Sequence, residues 1–263
     1  MREKTLLSNL KVLDLTSIIM GPLTTQMLGD FGAEVIKIED PKGDISREIG
    51  PSKNNKMSSM YLGVNRNKKS IVLNLKRKLD KIALWKLIER SDVLIHSIRP
   101  QKIDSLGFAP KKVLKRNPKI IYVGLHGYGE NGPYAGQPAF DDVIQSEAGI
   151  ADSFLKRGPV PELAPSLIAD KSIGLLACSA LLAAYIRRLK TNKGGFLEIS
   201  MFEGMVSYSL LEHLYGETFI PSKEKIGYPR VLSSLRKPYK SKDGYISILP
   251  YTNKQWKNFF KII

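Results

Sequence analysis

The sequence is short of several residue types, and each shortage removes a class of explanation. It holds one cysteine in 263 residues, Cys178. No intramolecular disulfide can form, which fits a reducing, cytoplasmic setting. Cys178 lies among aliphatic residues at helical spacing, surroundings that raise a thiol's pKa and argue against a nucleophile. The three histidines, His96, His126 and His213, show no metal-ligand spacing, so no metal site is expected. Acid is scarce: 25 Asp and Glu against 41 Lys and Arg leave a formal charge of +16. That sign favours an anionic partner, such as nucleic acid, a phosphorylated ligand or a membrane surface. The chain has no RNP-type aromatic motif, no zinc-finger spacing and no long basic block, which speaks against nucleic acid. Lysine outnumbers arginine, and Ile and Asn are frequent, so most of the excess reads as a lysine-rich surface. The opening stretch, MREKTLLSNLK, lacks the apolar core of a signal peptide. The longest apolar run, residues 173–186, is interrupted by Ser179 and falls short of the ~20 residues a membrane span needs. No membrane partner is expected.

What is present is an ordinary globular composition, 43% hydrophobic and 25% charged, with enough chain for one large domain or two modest ones. Strand-like runs alternate with helical patterns. Lys11–Leu15 (KVLDL) reads as a buried strand, then a helix ends at Gly32, then Glu34–Glu39 (EVIKIE) reads as a second strand. Further strands are expected at residues 70–75 (SIVLNL), 92–96 (DVLIH), 119–125 (KIIYVGL) and 196–201 (FLEISM), with helices between them. This alternation predicts an α/β fold: a doubly wound, mainly parallel, Rossmann-like sheet. Ligands in such folds sit beyond the carboxyl ends of the strands. The first strand is followed by TSIIMGPLTT, without G-x-G-x-x-G, so a nicotinamide enzyme is disfavoured. Past residue 216 the chain becomes rich in Lys, Ser and Pro. Residues 239–250 read as a hairpin turning at Asp243–Gly244, and residues 255–262 as a helix. The expected division is a large domain over residues 1–220 and, over 221–263, a linker with the start of a small domain.

One carboxylate stands out. Asp170 lies between an apolar run (Leu167, Ile168, Ala169) and a helix that carries Ile173, Leu176, Ala177, Ala180, Leu181 and Ala184 on one stripe. At a helix start, free N–H groups and the dipole favour an ionised carboxylate by roughly 0.3–1 kcal/mol. An ionised aspartate can serve as a nucleophile. It can equally be a helix cap and nothing more.

The sequence resembles the class III CoA-transferase family, the group that includes formyl-CoA transferases and α-methylacyl-CoA racemases. The stretches that carry the likeness are KVLDLTSIIMGPLTTQMLGDFGAEVIKIEDPKGD, NRNKKSIVLNLK, SDVLIHSIRPQKIDSLGF, GYGENGPYAGQPAFDDVIQSEAG, LIADKSIGLLACSALLAAYIRR and GGFLEISM. They run through nearly the whole chain in family order. The resemblance implies that Asp170 is the catalytic carboxylate: it attacks an acyl-CoA thioester, and CoA is then carried as an aspartyl-CoA thioester to a second carboxylate. It implies CoA contacts at Ser17, Ile18, Ile19 and Met20, at Leu73 and Lys76, and at Ser97 and Ile98. Coenzyme A and acyl-CoA enter as substrates, with no permanently bound cofactor, and a free carboxylate is the other partner.

There are departures. Ser105 stands where transferases often have arginine, Ser97–Ile98 where many have Asn-Phe, and Asp40 where some have arginine. Arg99 and Lys102 are the nearby cations that can compensate. The racemases of the family place a histidine at the position of Phe140, and a phenyl ring moves no proton, so transfer is expected over racemisation. Full-length members are interlocked homodimers. A chain ending at Ile263 lacks the return segment, and the expectation is a truncated product that does not interlock. An inactive remnant and a basic nucleic-acid module are the alternatives from other classes.

Overall fold

The structure is a computed structural model and describes residues 5–262. The chain divides into two units, Met1–Ala148 with Pro165–Tyr208, and Gly149–Ala164 with Ser209–Ile263.

The first unit is built on a six-stranded sheet. Its strands are β1 (Lys11–Leu15), β2 (Glu34–Glu39), β3 (Lys68–Val72), β4 (Val93–His96), β5 (Ile121–His126) and β6 (Gly195–Ser200). The order is β3-β2-β1-β4-β5-β6, and every pairing is parallel. This is the doubly wound arrangement, with its switch point between β1 and β4. Up to residue 148 the helices of this unit are α1 (Met20–Asp30), α2 (Ser59–Asn65), α3 (Lys78–Ile88), α4 (Pro100–Leu106), α5 (Pro110–Arg116) and α6 (Asp141–Glu147).

Helix α7 (Ile150–Leu155) belongs to the second unit, and α8 (Ile168–Thr191), the longest helix among the described residues, to the first. Helix α9 (Met201–His213) follows β6 directly. The remaining elements are α10 (Pro229–Leu232), the strands β7 (Tyr239–Lys240) and β8 (Tyr245–Ile246), and α11 (Asn253–Phe259). Strands β7 and β8 form a separate antiparallel pair.

Local sequence explains most boundaries. Gly32, with φ +99°, lies just beyond α1 and takes the left-handed turn that a side chain resists. Pro100 and Pro110 open α4 and α5, where a missing N–H costs nothing. Ser58 accepts from the Tyr61 N–H and starts α2. Leu84 and Ile88 of α3, Ile103 of α4, Val113 of α5 and Phe108 of the loop between α4 and α5 cluster with Leu13, Leu94 and Tyr122 of the sheet. The Tyr122 hydroxyl, so buried, donates to the Phe108 carbonyl at 2.9 Å. Helices α1 and α8 pack together.

Helix α8 spans 24 residues, longer than the apolar run read from sequence, and in length and composition it is able to cross a membrane. Its Ala169, Ile173, Ala177, Cys178 and Leu181 are buried on one stripe, the pattern of a helix packed by one face, while Leu175, Leu176, Ile186 and Leu189 are exposed. Strand β3 starts two residues earlier than expected and ends at Val72, which leaves Leu73–Leu75 as a loop. The hairpin keeps only two residues per strand, because Pro238 and Pro250 bound it and nothing among the described residues pairs with its edges.

Candidate active site

The turn from Thr16 to Met20 joins β1 to α1 at the switch point of the sheet, and two cavities open on either side of it. The first, of about 330 Å³, is walled by Ser17, Ile18, Met20, Ser97, His126, Asp141 and Asp170 among others. The second, of about 420 Å³, is walled by Ser17, Asp40, Leu73, Lys76, Ile98 and Lys102 among others. Ser17 belongs to both, and its N–H donates to the Ser97 hydroxyl at 3.2 Å, tying the end of β1 to the end of β4.

Asp170 sits in the first turn of α8, half-buried. It does not cap its own helix: Leu167 holds the cap position, without a side-chain hydrogen bond. The Asp170 N–H is taken instead by Asp141 Oδ2 at 2.9 Å. Asp141 is buried at the start of α6, and its other oxygen accepts from the Gln145 amide at 2.5 Å. The expectation of a pKa depressed by the helix start is overturned. Burial, then repulsion from Asp141, push the Asp170 carboxyl up to about 6, although the Met20 backbone N–H pulls the other way. The carboxylate remains the major form at neutral pH, and it is more basic than an ordinary aspartate.

The other expected residues divide between the cavities. Ser97, Ile18 and Met20 line the first with Asp170, while Leu73, Lys76 and Ile98 line the second. Ile19 is the exception: it is turned into the core and only 4% exposed. The Lys76 side chain is exposed and in no ion pair among the described residues, and its N–H is held by Asn74 Oδ1 at 3.0 Å. Phe140, at 64% exposure, lines the first cavity and brings no titratable group to it.

Three residues of the site were given no role from sequence. Asp141 stands 29 positions from Asp170 in a polar stretch without periodicity; its one signal is its place in GYGENGPYAGQPAFDDVIQSEAG, a stretch that carries the family likeness. His126, one of the three histidines without metal-ligand spacing, ends β5 and lines the first cavity. Burial holds its pKa low, against the pull of Glu198 and Glu130, so it is a neutral imidazole. Glu130 lines the same cavity, and its Oε1 is buried without a hydrogen-bond partner. Neighbouring His96 is driven by burial to a pKa of about 3, and its Nδ1 accepts from the Ile98 N–H at 3.2 Å. No metal-binding group of acidic, His or Cys side chains occurs among the described residues. Burial pushes the Cys178 thiol up, away from the reactive thiolate.

An aspartate at the first turn of a long helix, beside the β1–α1 turn of a doubly wound sheet, is a specific arrangement. The sequence model of CoA-transferase family III matches residues 7–263. The chain belongs to this family. It is 33% identical over 260 residues to human succinyl-CoA:glutarate CoA-transferase, covering 98% of this chain and 59% of that one. It is 30% identical to a probable fatty acyl-CoA transferase of Mycobacterium tuberculosis, covering 98% of this chain and 68% of that one. Among solved structures it is similar to a CAIB/BAIF family protein from Brucella suis, with a TM-score of 0.86 and 27% identity. That likeness covers 99% of this chain and 70% of the other. The family III likeness therefore extends over the whole fold described above, while the chain spans 59% of the length of the human relative.

Proposed function

We propose that this chain is a CoA-transferase that moves CoA from an acyl-CoA thioester to a free carboxylate, with Asp170 as the nucleophile. The observation that carries the reading is the half-buried Asp170 carboxyl, raised to about 6, on the wall of a cavity that shares Ser17 with a second cavity. A carboxylate of that basicity is still mostly ionised at neutral pH and is a better nucleophile than a solvated aspartate.

An Asp170 oxygen attacks the thioester carbonyl carbon, and collapse of the adduct expels CoA thiolate and leaves a mixed anhydride. The thiolate attacks the Asp170 acyl carbon and releases the donor carboxylate, so CoA is now held as an aspartyl thioester. The acceptor carboxylate attacks that thioester, thiolate leaves again, and its attack on the acceptor's acyl carbon forms the new acyl-CoA and restores Asp170. Each bond broken is matched by one formed, and no net proton is needed. In this reading the second cavity takes the nucleotide end of CoA. Lys76 and Lys102 face the phosphates there beside Leu73 and Ile98, Ser17 serves both cavities, Ile18, Met20 and Ser97 form contacts in the first, and the buried Ile19 supports the turn from beneath.

Racemisation is not favoured, because Phe140 leaves the first cavity without the proton-carrying partner at that position. The test is direct. The chain is incubated with an acyl-CoA and an isotopically labelled carboxylate, then trapped with hydroxylamine. Label should pass into acyl-CoA, and Asp170 should be recovered as a hydroxamate in peptide mass spectra. Exchange without modification at Asp170 would refute this assignment.

A further inference from the structure

Ile18 has a φ of +71°. For a β-branched residue this left-handed conformation is an outlier, and such strain persists only where surrounding contacts enforce it. The contacts that do so come from one buried ion pair. Lys37 Nζ and Asp44 Oδ2 lie 2.8 Å apart, with side-chain exposures of 0% and 1%. Asp44 Oδ1 accepts the Ile18 N–H at 3.2 Å. Lys37 Nζ donates to the Thr16 carbonyl at 2.8 Å. The pair therefore grips the turn at Ile18 itself and two residues before it.

Asp44 is in turn fixed from behind. It accepts from the Ser46 N–H and hydroxyl at 2.9 and 2.8 Å, and its own N–H donates to Glu39 Oε2 at 2.9 Å. Glu39 is clamped by Arg47 through two bonds of 2.7 Å. Burying two charges in this way is a weak source of stability, since apolar residues of similar volume often do as well. The hydrogen bonds point to geometry as the return. The turn they hold ends at Met20, the first residue of α1, which walls the first cavity together with Asp170 and whose backbone N–H favours the Asp170 carboxylate. It also carries Ser17, which walls both cavities.

We infer that the buried Lys37–Asp44 pair is a positioning device for the reaction: it locks the Thr16–Met20 turn with Ile18 left-handed, and so holds the α1 N-terminus against Asp170. The inference rests on the function proposed above for its catalytic meaning, but the geometry can be tested without turnover. The double variant Lys37→Met/Asp44→Leu removes the pair, and with it the acceptor of the Ile18 N–H, without leaving one charge buried alone. Two measurements are made on the full chain by NMR: hydrogen exchange of the Ile18 and Met20 amides, and titration of the Asp170 carboxyl carbon. Asp141, His126 and Glu130 face or share its cavity and are unchanged in the variant, so they do not account for a shift.

In the double variant the two amides should exchange faster while those of β4 do not, and the Asp170 midpoint should rise as the Met20 N–H is lost. Acyl exchange should fall on the order of 10- to 100-fold in kcat, with KM for the acceptor moving less. Adding Ile18→Asn, which accepts the left-handed conformation, should recover part of the loss. Unchanged amides and an unchanged Asp170 midpoint in a folded variant would overturn the inference. If the double variant does not fold, Asp44→Glu keeps both charges and displaces the acceptor. It should speed exchange at Ile18, and an unaltered amide there would count equally against the pair. Shifted amides and midpoint in a chain whose native form shows no acyl exchange would support the positioning and refute the proposed reaction.

Discussion

Asp170 shows how a single residue's neighbours decide what it can do. Its pKa is raised, so the folded chain binds its proton more tightly than the unfolded chain does. The ionised form therefore costs stability fully above about pH 6, and the cost disappears below about pH 4. Asp170→Asn keeps the shape and removes the charge. It should abolish acyl exchange, and at pH 7 it should stabilise the fold by about 1–3 kcal/mol. Denaturant melts of both proteins at pH 7 and pH 4 check this: a stabilisation that persists at pH 4 would mean that charge is not its source. Lys76 makes the contrasting case. It is exposed, and in the proposed reading its contribution is to CoA phosphates alone. Lys76→Ala should raise the Kd for CoA by about tenfold with little effect on the acyl step, and calorimetric titration with CoA against single-turnover rates separates the two.

At the scale of elements, the decisive contact is the seam between α1 and α8. Gly174, on α8, lets the helices approach so closely that a methyl group there would lie 2.9 Å from the Met20 carbonyl oxygen. Thr24 exploits the approach, its hydroxyl reaching both the Met20 and the Gly174 carbonyls at 3.0 Å. A backbone oxygen cannot swing aside, so Gly174→Ala should part the helices. The expected cost is about 1–3 kcal/mol, together with a loss of acyl exchange as the α1 N-terminus retreats from Asp170. A melt and an exchange assay on the same preparation measure both.

The elements also show what the sequence reveals and what it conceals. Strands β1, β2, β4 and β5 were legible because they are short Val, Ile and Leu runs with turn residues between them. Helix α2 was not, because SMYLGVN has no apolar stripe. It exists through the Ser58 cap and through Tyr61, whose hydroxyl joins the Glu39–Arg47 clamp. Asp170 was legible through its apolar flanks and the family motif. The direction of its pKa shift was not, because sequence displays the helix start but neither the burial nor Asp141. Lys37 and Asp44 are an ordinary strand lysine and loop aspartate in sequence, and only the fold brings them together.

On the scale of the whole molecule, charge is buried as well as displayed. Asp14 is fully buried in β1. Burial alone would raise its pKa, but Lys68 and Lys37, with hydrogen bonds from Thr16 and Thr25, more than offset it and bring it down to about 2. Glu39 is also near 2, burial again being outweighed, here by Arg47, Ser70 and the Asp44 N–H. Lys68 is drawn down by the same burial, so the ion pair with Asp14 is worth less than the aspartate's shift suggests. Depressed carboxyls give stability that is present above about pH 4 and lost as the pH falls through 2. Together with a formal charge of +16, whose repulsion grows on acidification, this predicts acid unfolding that begins below about pH 4. Circular dichroism from pH 6 to 2 tests it, and Asp14→Asn should flatten the response.

The second unit is predicted to be the vulnerable part of the chain. Its hairpin has two residues per strand, and such a pair is marginal in isolation. Tyr245 and Phe260 are exposed at 76% and 64%, Ile246 and Trp256 are exposed too, and Ile248 and Phe259 are half-buried. Ile263, expected on the same apolar side, lies outside the described residues. Backbone with so few buried contacts opens locally at little cost, and a protease cuts what opens. Brief chymotrypsin treatment should therefore cleave first near Tyr239, Tyr245, Tyr251 and Phe260, while the fragment that bears Asp170 persists and still binds CoA. An exposed aromatic patch of this kind also favours self-association, so light scattering should show growth with concentration. If the same sites prove protected and the particle size stays that of one discrete oligomer, the aromatic surface is covered by another chain.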